Sequence, residues 1–294
     1  MQKKSGLGLA LAGGGIRGFA QLGIMQIMEE NNIKADFVSG TSIGSIMAVF
    51  YASGLKVSEI TEIVLAAEKR LKDGKAFIPS PRILFRKNHL DGLVDADRLE
   101  EEAERVLTEL GFVYLSDLKI PTVIPAVDIN TGRLVFFTTH PECFKDEDDI
   151  TVIDDAPLCT VIRASCSIPA MMSTRRYKGM RLADGGLRLN LPVWPLRVLG
   201  ADKVLAVTMN SWFKNEPRNL IELIARTADI LVSQQTKDLS SEADLTVNIC
   251  MPDINSMDFG LGRDAYIHGL KVAKEMEKDI INLAKPKKFF SLNK

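Results

Sequence analysis

Two glycine-rich turns constrain this 294-residue chain more than any other feature. Each follows an apolar, strand-like run and opens a helix-like one. The first is "LALAGGGIRGFA" from Leu9 to Ala20, and the second is "FVSGTSIGSIMA" from Phe37 to Ala48. Gly15 and Ser42 are 27 residues apart, the span of one strand–helix–strand crossover. Consecutive parallel strands are usually neighbours, about 5 Å apart. Both turns should therefore open at the same C-terminal edge of a sheet. The expected fold is α/β, three-layered α/β/α with a mainly parallel central sheet.

Apolar periodicity extends this reading. Leu7–Ala12 and Asp36–Ser39 read as strands. Arg17–Glu30, with Phe19, Leu22, Ile24, Ile27 and Met28, and Ser42–Ala52, closed by Gly54, read as helices. Further on, a helix is expected over Asp97–Leu110. Strands are expected over Thr122–Val127 and Leu134–Thr138, joined at "DINTGR". A helix over Asp155–Ser167 is stopped by Pro169. Strands near Met180–Ala183, Val204–Thr208 and Asp244–Ile249 alternate with helices over Asn219–Lys237 and Ala265–Ala284. No repeat or linker divides residues 1–294, so one domain is expected. Residues 68–92 read as an excursion from the core, a candidate lid, and 285–294 as a basic tail.

Composition narrows the function classes. The formal net charge is −1, so no global field points to nucleic acid. Four cysteines without a CxxC pair and three histidines argue against a zinc site and for reduced thiols in a cytoplasmic setting. Lys3-Lys4 before "GLGLALA" is too short and glycine-broken for a signal peptide. The uncharged run from Phe37 to Leu55 approaches the length of a membrane span. Its glycines and hydroxyl residues fit a strand, a turn and a buried helix better.

Gly13, Gly15 and Gly18 satisfy GxGxxG, which suits a dinucleotide phosphate at a helix N-terminus. That reading also wants an acidic residue at the end of the second strand, but Asp36 opens the strand instead. "GTSIG", Gly40 to Gly44, is a GxSxG between strand and helix. There the glycines relieve a turn sharp enough to lift the Ser42 hydroxyl clear of the backbone. The amides of Gly14, Gly15 and Ile43 could then converge near Ser42 Oγ and hold a tetrahedral oxyanion. For a base, Asp184 in "ADGG" and His268 in "AYIHGLK" follow Ser42 in the chain order of α/β-hydrolases. His268, however, sits mid-helix, and His89 and His140 lie in no motif. "DGG" alone is also ordinary turn chemistry.

"GGGIRG", "GTSIG" and "DGG", in this order and spacing, resemble the patatin-like phospholipases. "RASCSIPA" (Arg163–Ala170) and "DGGLRLNLPV" (Asp184–Val193) extend the resemblance over roughly the first two hundred residues. "AMMSTRRYKG" departs from the phenylalanine–proline pattern of that family. The resemblance implies a serine–aspartate dyad without histidine, with Ser42 as nucleophile and Asp184 as base. It implies an oxyanion loop of Gly13, Gly14 and Gly15, with Ile43 adjoining and Arg17, Gly40, Gly44, Gly185 and Gly186 in support. No cofactor or metal is needed. Such a dyad requires burial, since a free aspartate near 3.9 is a feeble base toward a hydroxyl. The expected function is hydrolysis of phospholipid or lysophospholipid esters. The alternatives are a Ser-Asp-His esterase using His268 and a nucleotide-binding module. Lys69–Lys87 carries seven basic residues against one acidic, interleaved with Phe77, Ile78 and Phe85. It suits either an anionic lipid surface, touched peripherally, or a solvated loop. Oligomeric state is not legible.

Overall fold

Residues 6–76, 92–94, 96–145, 147–210, 216–217 and 220–285 are described by the structure, a computed structural model. Strand β1 (Leu7–Leu11) passes through the glycine loop and a 3-10 turn (Gly15–Ala20) into α1 (Gln21–Glu30). Strand β2 (Phe37–Gly40) turns into α2 (Ile43–Ala52), followed by α3 (Val57–Asp73), β3 (Gly92–Val94) and α4 (Asp97–Glu109). Next come β4 (Thr122–Asp128), β5 (Leu134–Thr138), β6 (Ile150–Ile153) and α5 (Leu158–Ser165). Short strands β7 (Ala170–Met172), β8 (Arg175–Tyr177) and β9 (Met180–Asp184) lead to α6 (Val193–Leu199) and β10 (Lys203–Asn210). Helix α7 (Leu220–Ser240), β11 (Leu245–Cys250) and α8 (Gly262–Ala284) complete the set.

The central sheet runs β11-β10-β1-β2-β4-β5-β6, with β9 also on β4 and β8 on β9. Pairs β11/β10, β10/β1, β1/β2, β2/β4 and β5/β6 are parallel. Among the described strands of this sheet, β4/β5, β4/β9 and β8/β9 are antiparallel. The expected mainly parallel sheet flanked by helices is therefore the observed one, and β1 and β2 are neighbours in register Leu11 to Gly40. One edge of β4 is divided. Val38 and Ser39 of β2 pair with Thr122 and Val123, whereas Leu182–Asp184 of β9 pair antiparallel with Asp128–Ala126. The two strands approach head-on, and their C-terminal ends meet.

The pleat sends alternate side chains to opposite faces. On β5, Val135 and Phe137 enter the larger core, while Leu134 and Phe136 enter a smaller one. There Phe136 meets Phe144 at 5.2 Å and Trp194 of α6 at 5.4 Å, ring centre to ring centre. Burying each such ring contributes about 1.5–3 kcal/mol. Among the described residues no helix is long and apolar enough to cross a membrane.

Several boundaries differ from the sequence reading for local reasons. The helix expected from Arg17 starts as the 3-10 turn, and α1 proper begins at Gln21. Helix α5 begins only after Pro157, whose extended backbone keeps Asp155–Pro157 out of it. Asp36 precedes β2 and accepts the Leu7 N–H at 2.9 Å, so it ties the starts of two strands. Glu68–Asp73 continue α3. Buried Glu68 accepts the N–H groups of Gly260 (2.6 Å) and Gly262 (3.2 Å), satisfying the start of α8. The rest of the expected excursion, 77–91 with His89, and the tail beyond Lys285 lie outside the described residues, as does Asn219.

Helices α1 and α8 pack so closely that a Cβ on Gly269 would lie 2.1 Å from the Ala20 carbonyl oxygen, and one on Gly23 2.2 Å from the Leu270 nitrogen. Helix propensity alone would make Gly269→Ala stabilising by about 1 kcal/mol. Overpacking against backbone should win instead, and urea titration of Gly269→Ala should show a loss of about 1–3 kcal/mol.

Candidate active site

Ser42 stands between β2 and α2 with φ 54° and ψ −127°, a conformation that side-chain-bearing residues rarely hold. Such strain costs about 1–3 kcal/mol and persists only where neighbours enforce it. Here the Ser42 N–H donates to Ser165 Oγ at 3.0 Å, while the Ser42 carbonyl accepts from Ser45 N–H (2.8 Å) and Ser45 Oγ (2.6 Å). Gly40 and Gly44 make the turn possible by close approach: a Cβ on Gly40 would fall 2.0 Å from the Gly44 oxygen. Only 6% of Ser42 is exposed.

Asp184 ends β9 opposite Ala126 of β4, at the junction with β2. Its N–H donates to the Ser167 carbonyl at 2.9 Å, and its Oδ1 accepts the Gly186 N–H at 2.7 Å. Oδ2 is buried without a hydrogen-bond partner among the described residues. Burial pushes the carboxyl up from the ordinary 3.8 to about 6, against the downward pull of the Gly186 amide and the Ser42 hydroxyl. The Ser42 hydroxyl lies close enough to the carboxyl to hold its proton affinity down. Gly185 and Gly186 do not provide a left-handed turn. They leave room: a Cβ on Gly185 would lie 2.4 Å from the Pro125 oxygen.

In the glycine loop, Gly15 has φ +58°, and a Cβ there would meet the Ser256 oxygen at 2.1 Å. The Gly13 N–H is spent on the Asn190 carbonyl at 3.2 Å, which removes Gly13 from the expected set of oxyanion donors and makes it an anchor. Gly14, Gly15 and Ile43 keep their amides without a hydrogen-bond partner among the described residues. Arg17 is buried, bonded to the Gly14 carbonyl (3.3 Å) and to Asp229 of α7 (3.4 Å). It steadies the loop. Desolvation lowers its pKa and raises that of Asp229, each opposed by the other's charge.

Sequence reasoning missed three residues. Ser165 holds the Ser42 amide. Cys166 lies beside Ser45 at 3.9 Å, its thiol pushed up to about 12 by burial and by the Asp184 charge, and so stays neutral. Asn190 joins the Gly13 carbonyl (3.4 Å) to Thr236 of α7 (2.8 Å). The "RASCS" and "LNLPV" blocks contained them, but nothing local marked their contacts.

Ser42 lies on two cavities. One, of about 110 Å³, is almost wholly apolar, walled by Phe19, Ile46, Phe50, Val64, Ile162 and Phe259. The other, about 510 Å³, is wider and runs past Gly13–Gly15, Asp184 and Asn190 to α7. His268, half-buried on α8, lines neither, and His140 is engaged with Thr139 at 2.8 Å. A ribose-binding role for Asp36 is equally unsupported, because its carboxylate holds Leu7 at the opposite end of the strands from the glycine loop.

A family model for patatin-like phospholipase matches residues 9–197, and the chain belongs to that family. The uncharacterized protein YqhO of Bacillus subtilis is 24% identical over 278 residues, covering 90% of this chain and 94% of that one. The uncharacterized NTE family protein Mb1092c of Mycobacterium bovis is 27% identical over 202 residues, 69% of this chain and 48% of its own, so the chain spans about half of that relative. The lysophospholipase NTE1 of Chaetomium globosum is 27% identical over 218 residues, which are 72% of this chain and 12% of that one. Among solved structures, VipD from Legionella pneumophila shares the fold at a TM-score of 0.50 and 14% identity, covering 94% of this chain and 67% of that one.

A raised carboxyl has a thermodynamic signature. The folded state holds the Asp184 proton up to about pH 6, whereas the unfolded chain releases it near 3.9. Its contribution to stability is thus complete below 3.9 and lost as pH rises through 6. Asp184→Asn should melt higher than wild type at pH 8, by up to about 3 kcal/mol. The advantage should vanish by pH 4 in paired calorimetric scans.

Proposed function

We propose that the chain hydrolyses phospholipid or lysophospholipid acyl esters through a Ser42–Asp184 dyad. The observation that carries the reading is the buried Asp184 carboxyl, raised to about 6 and with Oδ2 unpartnered beside the strained serine. At neutral pH it is ionised, yet far more basic than a free aspartate. Ser42 Oγ attacks the acyl carbonyl as its proton passes to Asp184. The oxyanion forms at the amides of Gly14, Gly15 and Ile43, where loss of one donor costs about 3–4 kcal/mol. Collapse breaks the ester bond, and the leaving alcohol takes the proton from Asp184. Water then attacks the acyl-serine, giving its proton to Asp184, which returns it to Ser42 Oγ.

The two cavities support a division of the substrate: the acyl chain in the apolar one, the alcohol portion in the wider groove. Leu187, Leu223, Ile224 and Leu231 line that groove while 44%, 49%, 42% and 67% exposed. An apolar rim around a lipid-cleaving site suits peripheral contact with a lipid surface.

A fluorophosphonate probe should label wild type and not Ser42→Ala, and kcat/KM for p-nitrophenyl butyrate should fall on the acid side with an apparent pKa near 6. Labelling of Ser42→Ala would refute the assignment. In vesicle flotation, replacing Leu223 and Leu231 with Asp should reduce the bound fraction.

A further inference from the structure

The two partners of the proposed dyad come from opposite directions in the fold, and both are tied to the last turn of α5. Ser165 Oγ accepts the Ser42 N–H at 3.0 Å and donates to the Pro125 carbonyl at 2.8 Å. Pro125 precedes Ala126, the residue that pairs with Asp184. Two residues past Ser165, the Ser167 carbonyl accepts the Asp184 N–H at 2.9 Å. Ser167 is itself fixed, its hydroxyl donating to the Arg163 carbonyl (2.7 Å) and accepting from the Arg163 guanidinium. Ser165 and Ser167 are fully buried.

We propose that Ser165 is a positioning residue: its hydroxyl fixes the strained Ser42 backbone at a set distance from Asp184, using the end of α5 as the spacer. The inference rests on the dyad reading above. Ser165 touches neither cavity that reaches Ser42, so it acts on the nucleophile through the backbone amide alone. The Ser42 conformation needs enforcement from both sides of its peptide. Ser45 supplies it at the carbonyl and Ser165 at the amide. Without the Ser165 oxygen the amide is free to turn, and the hydroxyl swings away from the carboxyl. Displacement of about 1 Å at a reacting group lowers turnover about a hundredfold.

Three substitutions test this with p-nitrophenyl butyrate kinetics, fluorophosphonate labelling rates and melting temperatures. Ser165→Ala removes the oxygen. Ser165→Cys keeps the volume but offers only a weak acceptor. Ser165→Thr keeps the oxygen. Ala and Cys should lower kcat and the labelling rate about 10- to 100-fold with KM unchanged, while Thr stays within about threefold of wild type. The acid limb should move above pH 6 in the Ala and Cys variants and stay in place in Thr, because the Ser42 hydroxyl that holds the Asp184 carboxyl down is the group displaced. If Ser165→Ala does not fold, the Cys variant decides. Wild-type kcat in a folded Ala or Cys variant overturns the proposal. So does a Thr variant as slow as Cys at an unchanged melting temperature, which would assign the defect to packing. A Ser42→Ala control separates the two levels: if it retains activity the dyad reading fails, and if it is inactive while Ser165→Ala is fully active, only the positioning role fails.

Discussion

The head-on meeting of β2 and β9 along one edge of β4 is the constraint on which the site depends. A parallel strand carries a turn at its C-terminal end, and an antiparallel strand on the same edge points its own end back at that turn. Backbone pairing alone therefore brings residues 42 and 184 together, without any side chain having to reach. Because the junction lies inside the sheet, under helices, the carboxyl arrives desolvated. Its raised proton affinity is a by-product of where strand pairing places it.

In the proposed dyad, burial takes over what an imidazole does in a triad. An exposed aspartate would be ionised at neutral pH and too weak to accept a serine proton. With Oδ1 held by Gly186 and Oδ2 left without a partner, the same carboxyl has one oxygen fixed and one available. The neutral Cys166 thiol beside it adds no competing negative charge. The arrangement is destabilising in the ionised state, the compromise expected of the catalytic site proposed above.

Much of this was legible in residue order, and the reason is locality. The GxSxG turn is decided by steric demands within five residues, and the β1–β2 adjacency by the length of one crossover. Asp184 was reached through its motif and not through geometry, since pairing of residues 126 and 184 across fifty-eight positions leaves no local trace. Ser165, Cys166 and Asn190 escaped for the same cause: their partners lie 123, 121 and 177 residues away. The spent amide of Gly13 and the burial of Arg17 are likewise products of packing, invisible in a glycine-rich loop that offers several equivalent donors on paper.

The contact between the Ser256 carbonyl and the Ile16 N–H, 2.9 Å long, carries a consequence for where this protein can be cut. Ser256 lies beyond residue 197, as does β10, the strand that borders β1 on its other side. A fragment trimmed to the region shared with the wider family would strip one flank from the glycine loop and leave β1 as a bare edge. The residues that pair with β1 and the glycine loop thus extend beyond the portion that carries the recognisable motifs.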